Sequence, residues 1–147
     1  MFPDELNKNN NQFTVLQISA CFFILPAISS WKRGLYLGFF VYFSNFLISF
    51  YVHRGRRTKT NDMIDTLDNT FVFIWVLYNL IHYIKFLDFT NQNINLATVS
   101  VLLVFMTKIW TKLLPWRTGK RYLLHFMMHF FGATGSYFLL NNYSIIK

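Results

Sequence analysis

The sequence predicts an all-α fold, a polytopic transmembrane helical bundle of about five spans that forms a single domain over residues 1–147. Three observations predict it. The chain is 54% hydrophobic and 20% aromatic but only 14% charged, whereas about a quarter of the residues of a soluble protein are charged. Its apolar residues fall into five stretches, each near the roughly 20 residues that cross a bilayer. Short polar loops separate the stretches, and several of these loops are basic, as in membrane proteins.

The first two stretches are joined by a short basic turn. The first stretch covers residues 13–30, and Pro26 near its end predicts a kink, because proline cannot donate a backbone hydrogen bond. The segment Trp31-Lys32-Arg33-Gly34 leads into the second stretch, residues 35–53. We expect both stretches to be membrane spans.

Three more stretches follow the polar segment 54–61. They cover residues 65–85, 96–114 and 122–140. The first two of these three are weaker candidates for spans, because aspartate, histidine and lysine side chains lie within or beside them. We expect all three to cross the membrane, since each has nearly the required length.

The distribution of lysine and arginine predicts the orientation of the spans. With five spans, the N-terminus, the second loop and the fourth loop lie on one side, which carries nine basic residues from Lys8 to Arg121. The opposite side carries four, from Lys32 to Lys147. Because basic loops stay inside, we expect a multi-pass protein whose N-terminus and basic loops are cytoplasmic. Basic residues between apolar runs are typical of membrane loops, so we expect no nucleic-acid partner.

Polar side chains at the ends of three spans predict a functional site, because ionisable residues inside a membrane are costly. Ser49 and His53 lie four residues apart and share a helical face at the end of the second span. Asp65 opens the third span, and His125 and His129, again four apart, lie near the start of the fifth. The predicted topology places these three span ends on the same side of the membrane. All five side chains are therefore expected at one depth.

Three neutral imidazoles with an open fourth position describe a catalytic zinc site. We predict that His53, His125 and His129 bind the zinc, which would lower the pKa of a bound water to about 7. Asp65 is the candidate to accept the proton of that water or to orient a ligand histidine. Ser49 is the candidate to hydrogen-bond the water or a developing oxyanion. The predicted reaction is hydrolysis, most plausibly of an amide.

Each of these features also has a simpler interpretation. A histidine pair on a membrane helix can serve only for hydrogen bonds between helices. Ser49 can bond a backbone carbonyl, and Asp65, with the neighbouring Asp62 and Asp68, can be an anion that stabilises a helix N-terminus. His82, in the middle of the third stretch, is interpreted as a packing or interhelical histidine.

Taken together, these residues resemble a known family. Ser49-Phe-Tyr-Val-His53, then Asp65, then His125-Phe-Met-Met-His129 is similar to the signature of the alkaline ceramidase and adiponectin-receptor superfamily of membrane hydrolases. Gly135-Ser136-Tyr137 and Asp65-Thr66-Leu67 favour the alkaline ceramidase branch. The resemblance implies a shortened version of a seven-span fold, in which the three histidines bind zinc and Asp65 and Ser49 support catalysis. It implies a ceramide-like membrane lipid as substrate, cleaved to a fatty acid and a sphingoid base.

Two other functions fit the same sequence. The chain can be a zinc-containing receptor or lipid-binding membrane protein of the same superfamily, which would bind a lipid with little turnover. It can also be a structural subunit of a larger membrane complex, which its size and composition suit. The subunit hypothesis predicts neither zinc nor a common depth for the histidines, so metal content separates it from the other two.

Overall fold

The fold is described by a computed structural model that covers residues 15–52, 62–88, 90–113 and 119–145, with the backbone alone at 62–65, 119, 121 and 122. Over these ranges the chain is all-helical, with five helices and no strand. The helices are α1 (Val15–Lys32), α2 (Tyr36–Val52), α3 (Asp62–Lys85), α4 (Gln92–Leu113) and α5 (Gly119–Leu140). Each coincides with one predicted apolar stretch, and the predicted all-α helical bundle is confirmed.

Helix α1 is irregular about one turn before Pro26. The helix tightens into a 3-10 turn at Cys21–Phe23 and returns to α-helix from Ile24. Proline has no N–H to give to the carbonyl four residues earlier, and 3-10 bonds are a common way to satisfy such carbonyls. The irregularity that the sequence predicts is therefore a local tightening, and α1 continues to Lys32.

A Schellman turn reverses the chain between α1 and α2. Gly34 has φ of 68°, the left-handed conformation that favours glycine. The N–H of Leu35 donates to Ser30 O at 3.0 Å, and the N–H of Gly34 donates to Trp31 O at 3.0 Å. These two bonds satisfy the last carbonyls of α1. The turn thereby sends α2 back along α1.

The start of α4 is set by a side-chain cap. Asn91 precedes the first residue of the helix, and its Oδ1 accepts the backbone N–H of Asn93 at 2.9 Å. Asparagine at this position satisfies an N–H that has no partner inside the helix. The helix therefore begins at Gln92, four residues before the apolar stretch at 96–114 that the sequence marks.

Helices α1 and α5 run side by side in the same direction. Ser19 contacts His129, and Arg33 contacts Tyr143, just after α5. Both contacts join residues 110 positions apart. The register between the two helices is therefore constant along their length.

Helix α3 also runs parallel to α5 with a constant register. Trp75 Nε1 donates to Ser136 Oγ at 3.0 Å, and His82 Nδ1 contacts the hydroxyl of Tyr143. Both contacts join residues 61 positions apart. Because α2 and α4 connect these parallel helices, they run in the opposite direction.

Four of the helices share one apolar core. α5 packs against α1, α3 and α4, and α2 packs between α1 and α3. The central cluster takes residues from α1, α2, α3 and α5: Phe23, Ala27, Val41, Tyr42, Tyr78, Ala133 and Leu140. A second cluster, formed by Ile94, Ala97 and Leu139, joins α4 to α5. α4 therefore lies beside the four-helix core, against α5.

Polar side chains are buried between the helices beside the apolar core, and many apolar side chains are exposed on the outside of the bundle. The buried polar side chains come from α1, α2, α4 and α5: Ser19, Ser29, Ser30, Asn45, Ser49, Ser100, Thr107, Thr111, His129 and Ser136. Large apolar side chains stand exposed on all five helices, for example Leu37, Phe73, Phe105 and Leu123. Three helices, Val15–Lys32, Gln92–Leu113 and Leu123–Leu140 within α5, are long and apolar enough to cross a membrane, while α2 is apolar but shorter, with 17 residues.

Candidate functional site

The structure describes three of the five predicted site residues with their side chains. Ser49 lies in the last turn of α2, and His125 and His129 lie in α5. Asp65 lies in the first turn of α3, where the backbone alone is described. His53 directly follows α2 and lies outside the described residues, so its predicted role as a metal ligand stays a prediction.

Ser49 forms a hydrogen bond with Asp68. In the sequence, Asp68 was interpreted only as an anion that stabilises the N-terminus of a helix. Ser49 is 2% exposed, and its hydroxyl donates to Asp68 Oδ1 at 3.0 Å across the α2–α3 interface. Because an ionised carboxylate can only accept hydrogen bonds, the Ser49 hydroxyl is the donor. The spacing of Asp65 and Asp68 could have indicated this partner, since residues three apart share a helical face.

The register of the helices brings Asp68 level with the histidines. Trp75 and Ser136 are 61 positions apart, as are His82 and Tyr143. The same offset applied to Asp68 leads to position 129, which is occupied by His129. The Ser49–Asp68 pair and the histidine pair therefore lie at the same height along the bundle.

The two histidines of α5 stand close enough to share one ion. The ring centres of His125 and His129 are 4.8 Å apart and their planes are inclined by 75°. Two imidazoles on one tetrahedral zinc, with Zn–N distances of about 2.0–2.1 Å, have ring centres about 5 Å apart. The centroid distance of this pair therefore matches that of two histidines on one metal.

His129 is held by two residues of α1. Its Nδ1 lies 2.8 Å from Ser19 Oγ, and Phe23 packs edge-on against its ring with the centroids 5.6 Å apart. Ser19 was not among the predicted site residues. No local pattern marks it, because its partner lies 110 positions away along the chain.

The described residues supply two of the three predicted metal ligands. Among them, no group of three His, Cys, Asp or Glu side chains is placed to hold a metal ion. The third predicted ligand, His53, falls in the gap between α2 and α3. Ser19 contacts His129, and Ser49 contacts Asp68. We name these four residues and His125, which the helix register places at one height, the histidine end.

A second polar cluster lies at the other end of the bundle, and we name it the arginine end. It consists of Ser29, Arg33, His82, Asn141 and Tyr143. The Arg33 guanidinium donates to Ser29 O at 3.2 Å, Ser29 Oγ at 2.6 Å, Asn141 Oδ1 at 2.7 Å and Tyr143 O at 3.1 Å. His82 packs against Tyr78 and contacts the hydroxyl of Tyr143, just after α5, in keeping with the predicted packing or interhelical role.

The two clusters differ in what they can do chemically. The histidine end combines imidazoles, a carboxylate and hydroxyls at one height, and these groups can bind a cation or move a proton. At the arginine end, the guanidinium of Arg33 donates hydrogen bonds to neutral oxygen atoms of Ser29, Asn141 and Tyr143. The histidine end is therefore the candidate functional site.

Compared with known proteins, the chain matches no protein-family model, no curated protein and no solved structure. The resemblance to alkaline ceramidases therefore rests on the residues of the sequence motifs alone.

Proposed function

We propose that this chain is a zinc-dependent hydrolase embedded in a membrane, and that it cleaves the amide bond of a ceramide-like lipid. The observation that carries the proposal is the common height of the Ser49–Asp68 pair and the His125–His129 pair. Ionisable side chains gathered at one depth of an otherwise apolar bundle are costly, and such residues mark function in membrane proteins. The ceramide-like substrate comes from the resemblance of the sequence motifs.

Residence in a membrane is supported by the distribution of polar and apolar side chains. A soluble protein rarely exposes apolar patches of more than a few hundred Å², yet here large apolar side chains are exposed along all five helices. Small and polar side chains such as Ser100 and Ser136 lie between the helices, as in membrane bundles. A lipid substrate could then reach the histidine end sideways from the bilayer.

In the proposed reaction, the residues of the histidine end have separate roles. His125 and His129, together with His53, would hold the zinc, which would act as a Lewis acid and generate a nucleophile from water at neutral pH. Asp65 would take the proton from that water and pass it to the leaving amine. Asp68 would fix the position of Ser49 through their 3.0 Å hydrogen bond. Because the single proton of the hydroxyl goes to Asp68, Ser49 would accept a hydrogen bond from the bound water and would not donate one to an oxyanion.

Metal content is the first test of this function. Zinc would be measured by elemental analysis of the full chain purified in detergent, for the wild type and for the His125→Ala, His129→Ala double variant. We expect near-stoichiometric zinc in the wild type and none in the double variant. His82→Ala is the matched control, because it removes a histidine from the arginine end and should leave the zinc in place.

Turnover of a lipid amide is the second test. Purified protein would be mixed with ceramide in vesicles, and release of the fatty acid would be followed over time. Zinc with turnover supports the hydrolase, and zinc with lipid binding but no turnover would favour a receptor. A folded wild-type protein without zinc would contradict both and favour a subunit of a larger membrane complex.

A further inference from the structure

The direction of the hydrogen bond between Ser19 and His129 follows from a third atom. Ser19 Oγ lies 2.8 Å from His129 Nδ1 and 2.7 Å from the carbonyl oxygen of Leu16. A carbonyl oxygen can only accept a hydrogen bond, and a hydroxyl has a single proton to donate. Ser19 therefore donates to Leu16 O and accepts the proton of His129 Nδ1–H.

The surroundings of His129 keep its ring in this orientation. Ser19 is fully buried and His129 is 9% exposed, so water does not replace the bond between them. Phe23 packs edge-on against the His129 ring, and Trp75 in turn packs edge-on against Phe23 with centroids 5.6 Å apart. Turning the ring over would put a carbon atom opposite Ser19 Oγ and leave a buried hydroxyl without this donor.

We propose that Ser19 is a positioning residue, which fixes His129 as the Nδ1–H form of the neutral imidazole so that Nε2 binds the metal. A neutral imidazole binds a metal through the nitrogen without a proton, and the hydrogen bond at the other nitrogen selects which one that is. The assignment of the ring proton to Nδ1 of His129 depends only on the two distances from Ser19 Oγ. The binding of metal at Nε2 rests on the proposed function.

The position of the proton can be measured without any metal. In the full chain, labelled with ¹⁵N-histidine and freed of metal by a chelator, the ¹⁵N shifts of a neutral ring separate protonated from unprotonated nitrogens. The His129 signals are assigned by their loss in His129→Gln. We expect a protonated Nδ1 and an unprotonated Nε2 in the wild type, and a mixture of both forms in Ser19→Ala.

Ser30→Ala is the matched control for Ser19→Ala. Ser30 lies in the same helix and is equally buried, and its Oγ has no hydrogen-bond partner among the described residues. Its removal should leave the His129 signals unchanged. A wild-type ring protonated at Nε2, or a Ser19→Ala spectrum identical to that of the wild type, would overturn the proposal.

Zinc affinity separates this inference from the proposed function. Loss of a residue that orients a ligand histidine typically weakens metal binding 10–100-fold. We expect a loss of about that size for Ser19→Ala in competition with a chromogenic chelator, and less than about twofold for Ser30→Ala. If the wild type binds no zinc, the proposed function fails while the ¹⁵N shifts still decide the role of Ser19. If zinc binds equally well to wild type and Ser19→Ala, only the inference about Ser19 fails.

Discussion

The histidine end and the arginine end use the same kinds of contact for different purposes. Each joins α1 to α5 and also involves α3, and the two lie about 20 Å apart along α5, at 1.5 Å per residue. At the arginine end, four hydrogen bonds from Arg33 all go to neutral acceptors. Such bonds hold helices in place, and the one imidazole of this end, that of His82, contacts the Tyr143 hydroxyl.

The histidine end contains two imidazoles and a carboxylate. Ser49 bonds a carboxylate, and His129 is oriented by Ser19 beside a second imidazole at 4.8 Å. Buried polar side chains alone therefore do not identify a site in this bundle. What distinguishes the histidine end is the residue types that the helix register brings to one height. Substitutions at the arginine end should therefore change stability, and those at the histidine end should change metal binding or turnover.

The largest effect is expected for Asp65→Asn. Removing a general base or acid typically costs 10²–10⁴-fold in rate, and we expect kcat for lipid amide hydrolysis to fall by about that factor. Zinc content should stay at the wild-type level, since asparagine replaces a residue that is not a predicted metal ligand. Initial rates and elemental analysis on the same preparation would check both points. Unimpaired turnover would exclude Asp65 as the proton acceptor.

Asp68→Asn provides the comparison at the neighbouring turn. We expect a smaller loss of about tenfold in kcat, which corresponds to about 1.4 kcal/mol and to one weakened hydrogen bond to Ser49. If Asp68 acts through Ser49, the Ser49→Ala, Asp68→Asn double variant should be no slower than Ser49→Ala alone. Additive losses would mean that Asp68 acts independently of Ser49.

At the arginine end, Arg33→Met should lower the free energy of unfolding by about 1.5–3 kcal/mol. Methionine keeps the length of the side chain but removes the hydrogen bonds from a charged group to Ser29, Asn141 and Tyr143. Denaturant titration in detergent micelles would measure the change. Zinc content should not change, and Lys32→Met, at an exposed position next in sequence, should cost less than about 0.5 kcal/mol. Loss of zinc in Arg33→Met would mean that the two ends are coupled.

Gly132→Ala is the substitution expected to disturb both ends. A Cβ at position 132 would come within 2.9 Å of Trp75 Cη2, a rigid ring between α3 and α5. Overpacking of this kind costs about 1–3 kcal/mol and would shift the register that both ends share. The free energy of unfolding, measured by denaturant titration, and the affinity for zinc should both fall. Trp75→Phe removes the ring atoms that the new Cβ would meet, so in this background Gly132→Ala should lower the free energy of unfolding by clearly less. An equal loss in both backgrounds would show that the contact with Trp75 does not cause the destabilisation.

The smallest effect is expected for Tyr143→Phe. It removes the hydroxyl that contacts His82 but keeps the backbone carbonyl that accepts from Arg33. A side-chain hydrogen bond in a membrane bundle contributes about 0.6 kcal/mol on average, and we expect a loss of about this size in unfolding titrations. A loss as large as that of Arg33→Met would mean that the hydroxyl contributes as much as the guanidinium to the stability of the arginine end.

The helices were predictable from sequence because hydropathy is a local property. All five apolar stretches became helices, and Pro26 marked the irregular turn in α1. The boundaries were less predictable where a polar residue sets them. Asn91 starts α4 before the apolar run begins, through a side-chain cap that hydropathy does not register.

The candidate site was predictable only in part. The spacing of His125 and His129 already placed both rings on one helical face, and the structure brings their centres to 4.8 Å. The partners of the site, Ser19 and Asp68, were not predicted as such. Their roles depend on which residues of neighbouring helices lie at the same height, and serine and aspartate in a helix have many other uses.

The all-α class, the five helices and the residue types able to bind a metal follow from composition and from periodicity within each helix, so they can be predicted from the sequence. The pairing of Ser19 with His129 and of Ser49 with Asp68 is visible in the tertiary structure alone. These pairs follow from the constant register of α1 and α3 against α5, which is set by packing contacts such as that of Trp75 with Gly132. The register describes how two helices are aligned with each other, and it cannot be predicted from the periodicity within either helix.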